Sequence, residues 1–161
     1  MQVWEFMTAD VKACVPEHSC AIAGDIMRRR RCGLVPVVDS LTSKRVTGVV
    51  TARDILFHLV RLDRPAGRVT VEICMTRAPK IISSEADLKD AIRIMREAAV
   101  WRLPVIDNGK LVGVLSLQDI ALAARRQWAY VGPHVTDQHV TEILEAIAVA
   151  REELPVRSRR P

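Results

Sequence analysis

The sequence predicts a mixed α/β (α+β) protein made of two β-α-β-β-α units packed about a pseudo-twofold axis, with an extra helix near the C-terminal end. Two observations lead to this prediction. A pattern of two short apolar runs followed by a helix start occurs twice in the 161 residues. Before each occurrence, apolar residues recur at helical spacing. Three short strands bury only one face of a sheet, so the two units are expected to pack together.

The clearest element is a β-hairpin in the second unit that leads into a helix. Two apolar runs, 103–106 and 111–115, flank Asn108-Gly109, a pair typical of a tight turn with positive φ. Ser116 follows as a helix N-cap, and Asp119 lies three residues later, where its carboxylate can accept from the N-cap backbone. The strand therefore runs into a helix N-terminus, which offers unpaired N–H donors and the positive end of a dipole.

The same pattern occurs earlier in the chain. The matching pairs are Met7 and Met75, Pro36 and Pro104, Gly48 and Gly113, Thr51 and Ser116, and Asp54 and Asp119. The offset is 68 residues before the hairpin loop and 65 residues after it, because the first loop is three residues longer. We interpret this as an internal duplication with one loop insertion.

The remaining elements follow from apolar spacing and turn residues. Helices are predicted over 19–31 and, after the capping pattern Ser84-x-x-Asp87, in the matching part of the second unit. The stretch 69–74 is expected to be strand-like. An added amphipathic helix is predicted over 136–154, with its apolar stripe buried either on the chain's own helices or on a second subunit.

Composition excludes several function classes. Of the net charge of +5, four charges come from the arginines at 28–31 and three from those near the C-terminus, so the remainder sums to −2. With only six aromatic residues as well, a nucleic-acid binder is disfavoured. No apolar run could span a membrane and no signal-peptide pattern is present, so a cytoplasmic location is expected. The four cysteines are expected to be reduced and mostly buried.

Motifs of catalysis are missing. The four histidines are scattered, and the chain has no zinc-binding His pair, nucleophile elbow, P-loop or dinucleotide-binding glycine motif. We therefore expect neither an enzyme nor a metal site.

With these motifs the repeat resembles the CBS domain. The shared features are Met-Thr, a helix, a hydrophobic-Pro-Val-hydrophobic-Asp strand, and Gly-hydrophobic-hydrophobic-Thr/Ser-x-x-Asp; both units have all of them. The repeats are expected at 7–62 and 69–124, followed over 125–161 by a connector, the added helix and a basic tail. CBS domains occur in tandem pairs, called Bateman modules, that commonly bind adenosine-containing ligands, so the resemblance implies a stand-alone regulatory or energy-sensing module.

A nucleoside phosphate needs acceptors for its ribose hydroxyls and donors for its phosphates. Asp54 and Asp119 can accept from the ribose, and the candidates for the phosphates are Thr51, Arg53, Arg102 and Ser116. The resemblance implies the same roles for the matched positions. Helix capping alone would also explain a Thr or Ser followed by Asp, so a purely structural role remains the alternative at each site.

Candidate contacts for the base are Trp101, Leu103 and Val35. Family members often have His-Arg before Leu-Pro-Val, and Trp101 stands here in place of the His. The first repeat has no basic residue at the position of Arg102, although Arg53 supplies a cation. We therefore expect two unequal clefts, of which one is occupied at physiological concentrations.

Several functional alternatives stay open at this point. The effector could be AMP, ADP, ATP, S-adenosylmethionine or NAD; no other cofactor is expected. A homodimer is expected because similar modules dimerise, and a regulated protein partner is an open possibility. The main rival function is a non-sensing dimerisation scaffold that docks a protein partner, and a nucleic-acid binder is the third.

Overall fold

The computed structural model describes residues 1–127 and 137–152. The strands are β1 Thr8–Ala9, β2 Leu34–Val38, β3 Val46–Thr51, β4 Thr76–Arg77, β5 Ile82–Ser83, β6 Arg102–Asp107 and β7 Lys110–Ser116. The helices are α1 Cys20–Arg30, α2 Ala52–Leu62, α3 Val71–Cys74, α4 Leu88–Glu97, α5 Leu117–Gln127 and α6 Asp137–Glu152. Single 3-10 turns lie at Val3–Glu5 and Ala66–Arg68. No described helix is long and apolar enough to cross a membrane.

The predicted α+β fold of two similar repeats is confirmed. One sheet has the strand order β1-β7-β6-β5, and the other has the order β2-β3-β4. The central hairpins β2-β3 and β6-β7 share a register irregularity at Val37/Val38 and Val105/Ile106, which are 68 residues apart. At the tight turn, Asn108 and Gly109 both have positive φ, as the sequence predicts.

The first strand of each repeat pairs with the hairpin of the other repeat. Strand β1 pairs with β7 in the second repeat, and β4 pairs with β3 in the first. The residues before these strands follow the same exchange: Val3 is fully buried in the core of the second repeat, and Val71 in the core of the first. Each core is therefore completed by the other repeat, which is why the two pack as one unit.

Two matched glycines make this exchange possible. A Cβ atom at Gly113 would lie 2.7 Å from the Thr8 carbonyl oxygen, and a Cβ atom at Gly48 would lie 2.9 Å from the Thr76 carbonyl oxygen. Both distances are shorter than a normal contact, so only a residue without a side chain lets the exchanged strand approach. The glycine in the repeated motif is thus explained by backbone packing.

The prediction of a strand-like stretch over 69–74 is wrong. Residues Val71–Cys74 form the short helix α3. A helical turn places Val71, Cys74 and Met75 on one side, and all three are buried in the first core. A strand would turn alternate side chains away from that core.

The added helix α6 packs against α4 and α5 of the second repeat. Ile143 is fully buried in the second core, and Arg96 of α4 forms an ion pair with Glu142 at 3.1 Å. The sequence left two burial sites open for the apolar stripe of this helix, the chain's own helices or a second subunit. The chain's own helices cover Ile143, while Leu144 stays exposed. The connector was predicted to begin at residue 125, but residues 125–127 belong to α5. The rest of the connector, over 128–136, and the basic tail lie outside the described residues.

The close contact at Gly113 predicts that an added methyl group is destabilising there. In Gly113→Ala the new Cβ would collide with the carbonyl of Thr8, which strand pairing holds in place. We expect the free energy of unfolding to fall by about 1 to 3 kcal/mol, as is typical of overpacking. Urea unfolding followed by circular dichroism measures this change.

The matched control is Gly24→Ala in α1. Apart from Gly24 itself, its two neighbours and the backbone of its own helix, no atom of the described residues lies within 4 Å of a Cβ at this position. Ala is favoured over Gly inside a helix by about 1 kcal/mol, so this variant should be more stable than the parent. An equal loss of stability in both variants would contradict the steric explanation.

Three of the four cysteines are buried in the first core. Burial raises the pKa of the Cys14 thiol from its ordinary value of 9.0 to about 11. Burial, together with the Cys74 thiol 3.4 Å away, raises the pKa of Cys20 to about 12. The folded state therefore favours the neutral thiols.

These shifts predict a loss of stability in alkali. Above pH 9.0 the unfolded chain releases thiol protons that the folded chain retains until the pH passes about 11. We expect each thiol to lower the free energy of unfolding by about 1 kcal/mol per pH unit in this range, and to have no effect below it. Denaturant titrations across the range should show a smaller slope in Cys20→Ala; an unchanged slope would contradict the assignment.

Candidate functional site

A cleft of about 730 Å³ lies between the repeats, next to the start of α2. We call it the Asp54 cleft. The first repeat contributes Gly33, Leu34, Val49, Thr51, Arg53 and Asp54, and the second contributes Thr76, Ala78, Pro79, Lys80, Ala98, Ala99, Val100, Trp101, Arg102 and Pro104. The cleft therefore exists only when both repeats are packed together.

Asp54 is held in place by the cap of α2. Its Oδ2 accepts hydrogen bonds from the Thr51 backbone N–H at 2.9 Å and from Thr51 Oγ1 at 2.6 Å. The Asp54 backbone N–H donates to Thr51 Oγ1 at 3.2 Å, which completes a capping box. Among the described residues no group donates to Oδ1 of Asp54. The cap thus uses one carboxylate oxygen and leaves the other available to a ligand.

Ser116 and Asp119 form the same arrangement at the start of α5. Asp119 Oδ2 accepts from the Ser116 backbone at 2.8 Å and from Ser116 Oγ at 2.6 Å. The Asp119 N–H donates to Ser116 Oγ at 3.2 Å. These two residues do not line the Asp54 cleft. The structure therefore separates the two predicted ribose-binding carboxylates into two places related by the internal repeat.

Three cations line the Asp54 cleft: Arg53, Lys80 and Arg102. Their side chains are exposed, and none forms an ion pair with a residue in the described part of the chain. Arg102 comes from the second repeat, yet its Nη2 atom lies 3.8 Å from where a Cβ of Gly33 would be. Its guanidinium therefore reaches across to the first repeat. Asp54 is the single carboxylate among the described lining residues, so these residues give the cleft a net positive charge.

Apolar side chains cover part of the cleft. They include Leu34, Val100, Pro104 and Trp101, a residue that is 40% exposed. Val35 and Leu103 do not line the cleft, because both are fully buried in the two cores. Successive residues of a strand face opposite sides, so Leu34 lines the cleft where Val35 faces the core.

The structure thus brings together five predicted site residues: Thr51, Arg53, Asp54, Trp101 and Arg102. Sequence reasoning missed Leu34 and Lys80. A signal for Lys80 was available, because Lys12 stands 68 residues earlier at the matching position of the first repeat. In the described ranges, no cluster of three or more His, Cys, Asp or Glu side chains could hold a metal ion.

Comparisons with known proteins agree with this architecture. The chain is 27% identical over 122 residues to the uncharacterised protein YlbB of Bacillus subtilis, covering 76% of this chain and 81% of that one. It is 31% identical over 136 residues to inosine-5'-monophosphate dehydrogenase of Streptococcus pyogenes, covering 83% of this chain but 25% of the enzyme. The chain therefore spans only a quarter of that enzyme's length.

Among solved structures, CBSX2 from Arabidopsis thaliana has a TM-score of 0.69, and CBSX2 in complex with AMP has a TM-score of 0.66. The AMP complex is 26% identical, and the match covers 78% of this chain and 97% of that one. The family model of the CBS domain matches residues 3–61 and 69–126. Because the model matches both repeats, over more than half of the chain, this chain belongs to the CBS-domain family and carries two CBS domains in tandem.

Proposed function

We propose that this chain binds an adenine nucleotide in the Asp54 cleft and acts as a regulatory, energy-sensing module. One observation carries the proposal: a capped carboxylate with one available oxygen faces the same cleft as three cations that lack ion-pair partners among the described residues. A nucleotide combines two vicinal hydroxyls with one or more phosphates. The cleft offers the complementary groups side by side.

Each part of the ligand has a counterpart. Oδ1 of Asp54 accepts from the ribose hydroxyls, while Arg53, Lys80 and Arg102 bind the phosphates. The purine packs against Leu34 and the neighbouring apolar side chains. The AMP complex of CBSX2, a relative with 26% identity, supports this class of ligand.

The charge of the cleft favours some adenosyl ligands over others. Three cations against one carboxylate suit AMP, ADP, ATP or the diphosphate of NAD. S-adenosylmethionine carries a sulfonium cation and no phosphate, so the same cations do not favour it. We therefore place the nucleotides ahead of S-adenosylmethionine.

Regulation is a better match to this cleft than catalysis. Among the described residues, the lining holds one carboxylate, already used in a helix cap, and neither His nor Cys. A pair of acid and base groups is thus missing from it. Because both repeats line the cleft, a bound ligand connects them, and binding that differs between two arrangements shifts the population toward one of them.

A thermal-shift assay with AMP, ADP, ATP, NAD and S-adenosylmethionine tests the proposal. A ligand present at about 100 times its Kd adds about 2.7 kcal/mol, which raises the Tm of a chain of this size by about 5 to 10 °C. We expect such a shift with at least one nucleotide and its loss in Asp54→Ala. If nucleotide-free protein shows no shift with any of the five, the sensing function is wrong.

Asp54→Ala also removes a helix cap, so the assay needs a control for stability. Asp87 is the N-cap of α4 and accepts from the Lys89 backbone at 2.8 Å, but it does not line the cleft. Asp87→Ala should lose a similar amount of stability, about 1 kcal/mol, and keep the nucleotide shift. Loss of the shift in both variants would point to destabilisation instead of a binding contact.

The rival function, a dimerisation scaffold, is favoured by the outer face of α2. Leu56, Phe57 and Val60 lie on one side of this helix and are 58%, 63% and 72% exposed. Neighbouring apolar side chains of this size on one surface mark an interaction site. We propose that a second copy of the chain covers this face, whether or not a nucleotide is bound.

Phe57→Glu tests the dimer. We expect the mass measured by light scattering to fall from that of a dimer toward 18.0 kDa, because a buried charge without a partner opposes association. Leu41→Glu is the matched control, since Leu41 is 55% exposed but lies in the hairpin loop of the first repeat. A monomeric parent protein, or equal dissociation in both variants, would contradict the assignment of this face.

A further inference from the structure

Two buried cysteines face each other where the two repeats meet. Cys20 begins α1 in the first repeat, and Cys74 ends α3, which by chain order belongs to the second repeat. Their sulfur atoms are 3.4 Å apart. The two residues are only 1% and 3% exposed, so the contact lies inside the first core. One thiol from each repeat therefore takes part in the same contact.

Backbone hydrogen bonds hold this contact in place. The Cys20 N–H donates to the Val69 carbonyl at 2.8 Å, and the Val71 N–H donates to the His18 carbonyl at 2.8 Å. The start of α1 and the start of α3 are thus fastened side by side. The sulfur atoms of a disulfide are about 2.05 Å apart, so these two thiols need to approach by about 1.4 Å more. Rotation of the two side chains can supply a shift of this size.

The matching positions of the second repeat hold no thiols. At the offset of 68 residues, Cys20 corresponds to Leu88 and Cys74 corresponds to Phe6. Leu88 is fully buried in the second core, and Phe6 packs against that core. The same backbone is therefore built there with an apolar pair. Packing requires only apolar side chains at these positions, and the paired sulfur atoms are an addition of the first repeat.

We propose that Cys20 and Cys74 are a site of reversible oxidation, at which a hydroperoxide converts the two thiols to a disulfide that joins the two repeats. This inference goes beyond nucleotide binding and does not depend on it. The resting state is the dithiol, since all four cysteines of the chain are free.

The oxidation takes place in two displacements. One thiolate attacks an oxygen of the hydroperoxide, the O–O bond breaks, and the sulfur becomes a sulfenic acid while water or an alcohol leaves with the proton of the thiol. The second thiolate then attacks that sulfur, the S–O bond breaks, the S–S bond forms, and water leaves with the second proton. Two electrons pass from the sulfur atoms to the hydroperoxide.

Burial makes the resting pair slow to react. The apolar surroundings and the neighbouring thiol raise the pKa of Cys20 to about 12, and the nucleophile in both steps is a thiolate. The oxidant therefore reaches the pair when α3 lifts away from α1. The helix α3 has four residues, of which Glu72 and Ile73 are exposed, so little buried surface opposes this local opening. Oxidation thus reports how often the contact between the repeats opens.

The disulfide fixes a wall of the Asp54 cleft. Cys74 is followed by Met75 and then by strand β4, and Thr76 and Lys80 of this segment line the cleft. In the dithiol state, noncovalent contacts alone hold α3 on the first repeat. The disulfide makes that attachment covalent, so the segment that carries Thr76 and Lys80 can no longer separate from α1.

Peptide mapping after exposure of the full chain to hydrogen peroxide tests the proposal. Cleavage after Lys, Arg and Glu, without reduction, separates Cys14 from Cys20 because Glu17 lies between them. We expect a linked pair of peptides, one with Cys20 and one with Cys74, that is two hydrogen atoms lighter than their sum. Dithiothreitol should restore the two separate peptides.

A chain with Cys14→Ala and Cys32→Ala is the matched control, since Cys20 and Cys74 are then the only thiols. It should form the same link within one chain, as judged by electrophoresis without reductant. Cys74→Ala in the otherwise unchanged sequence should form none. The mapping of the parent protein is decisive by itself if either variant folds poorly.

Thermal unfolding measures the effect of the bond. The disulfide closes the loop from residue 20 to residue 74, and we expect it to raise the Tm by about 5 to 15 °C, reversibly with dithiothreitol. Four free thiols after the peroxide treatment, a link through Cys14 or Cys32, or oxidation only to sulfinic acid would each overturn the site. A Cys20–Cys74 disulfide that leaves the Tm unchanged or lowers it would overturn the covalent attachment as a stabilising device.

Discussion

The contact between each exchanged strand and the glycine of the opposite hairpin is the constraint on which the rest of the structure depends. At Gly113 and Gly48 the backbone carbonyls of Thr8 and Thr76 approach to distances that no Cβ atom would allow. This approach brings β1 and β4 onto the other repeat's sheet and inserts Val3 into the second core. The repeats cannot separate without opening both cores, so the cleft between them has a fixed frame.

Within that frame, the proposed function gives one side chain a part in both stability and recognition. Asp54 completes the cap of α2 through Oδ2 and keeps Oδ1 for the cleft. Capping and ligand binding are therefore compatible roles of one carboxylate. The cap orients the side chain before a ligand arrives, and such preorganisation reduces the entropy lost on binding. The caps explain the Thr/Ser-x-x-Asp motif structurally, and the proposed function adds the second role at Asp54.

The repeat, the hairpin turn and the two helix caps could be predicted because they depend on short sequence patterns. The sign of φ at Asn108 and Gly109 follows from the turn residues alone. The strand exchange could not be predicted, because pairing of residues 8 and 114 leaves no local signal. The error over 69–74 has a related cause: a short apolar stretch fits a strand or a helical turn equally well, and only packing against the first core decides.

In the candidate site, too, the residues of a local sequence motif could be predicted, whereas their neighbours from the other repeat could not. Its carboxylate, Asp54, was predicted from a local motif, whereas the side chains opposite it come from the other repeat. Val35 and Leu103 were assigned to the base, yet strand alternation places both in the cores and leaves Leu34 at the cleft. Strand alternation also explains Arg102, which precedes the buried Leu103 and lines the cleft. Its guanidinium lies beside Gly33 of the first repeat. A cleft built by two repeats takes each wall from a different part of the chain, so a substitution in one repeat changes the charge beside the carboxylate of the other.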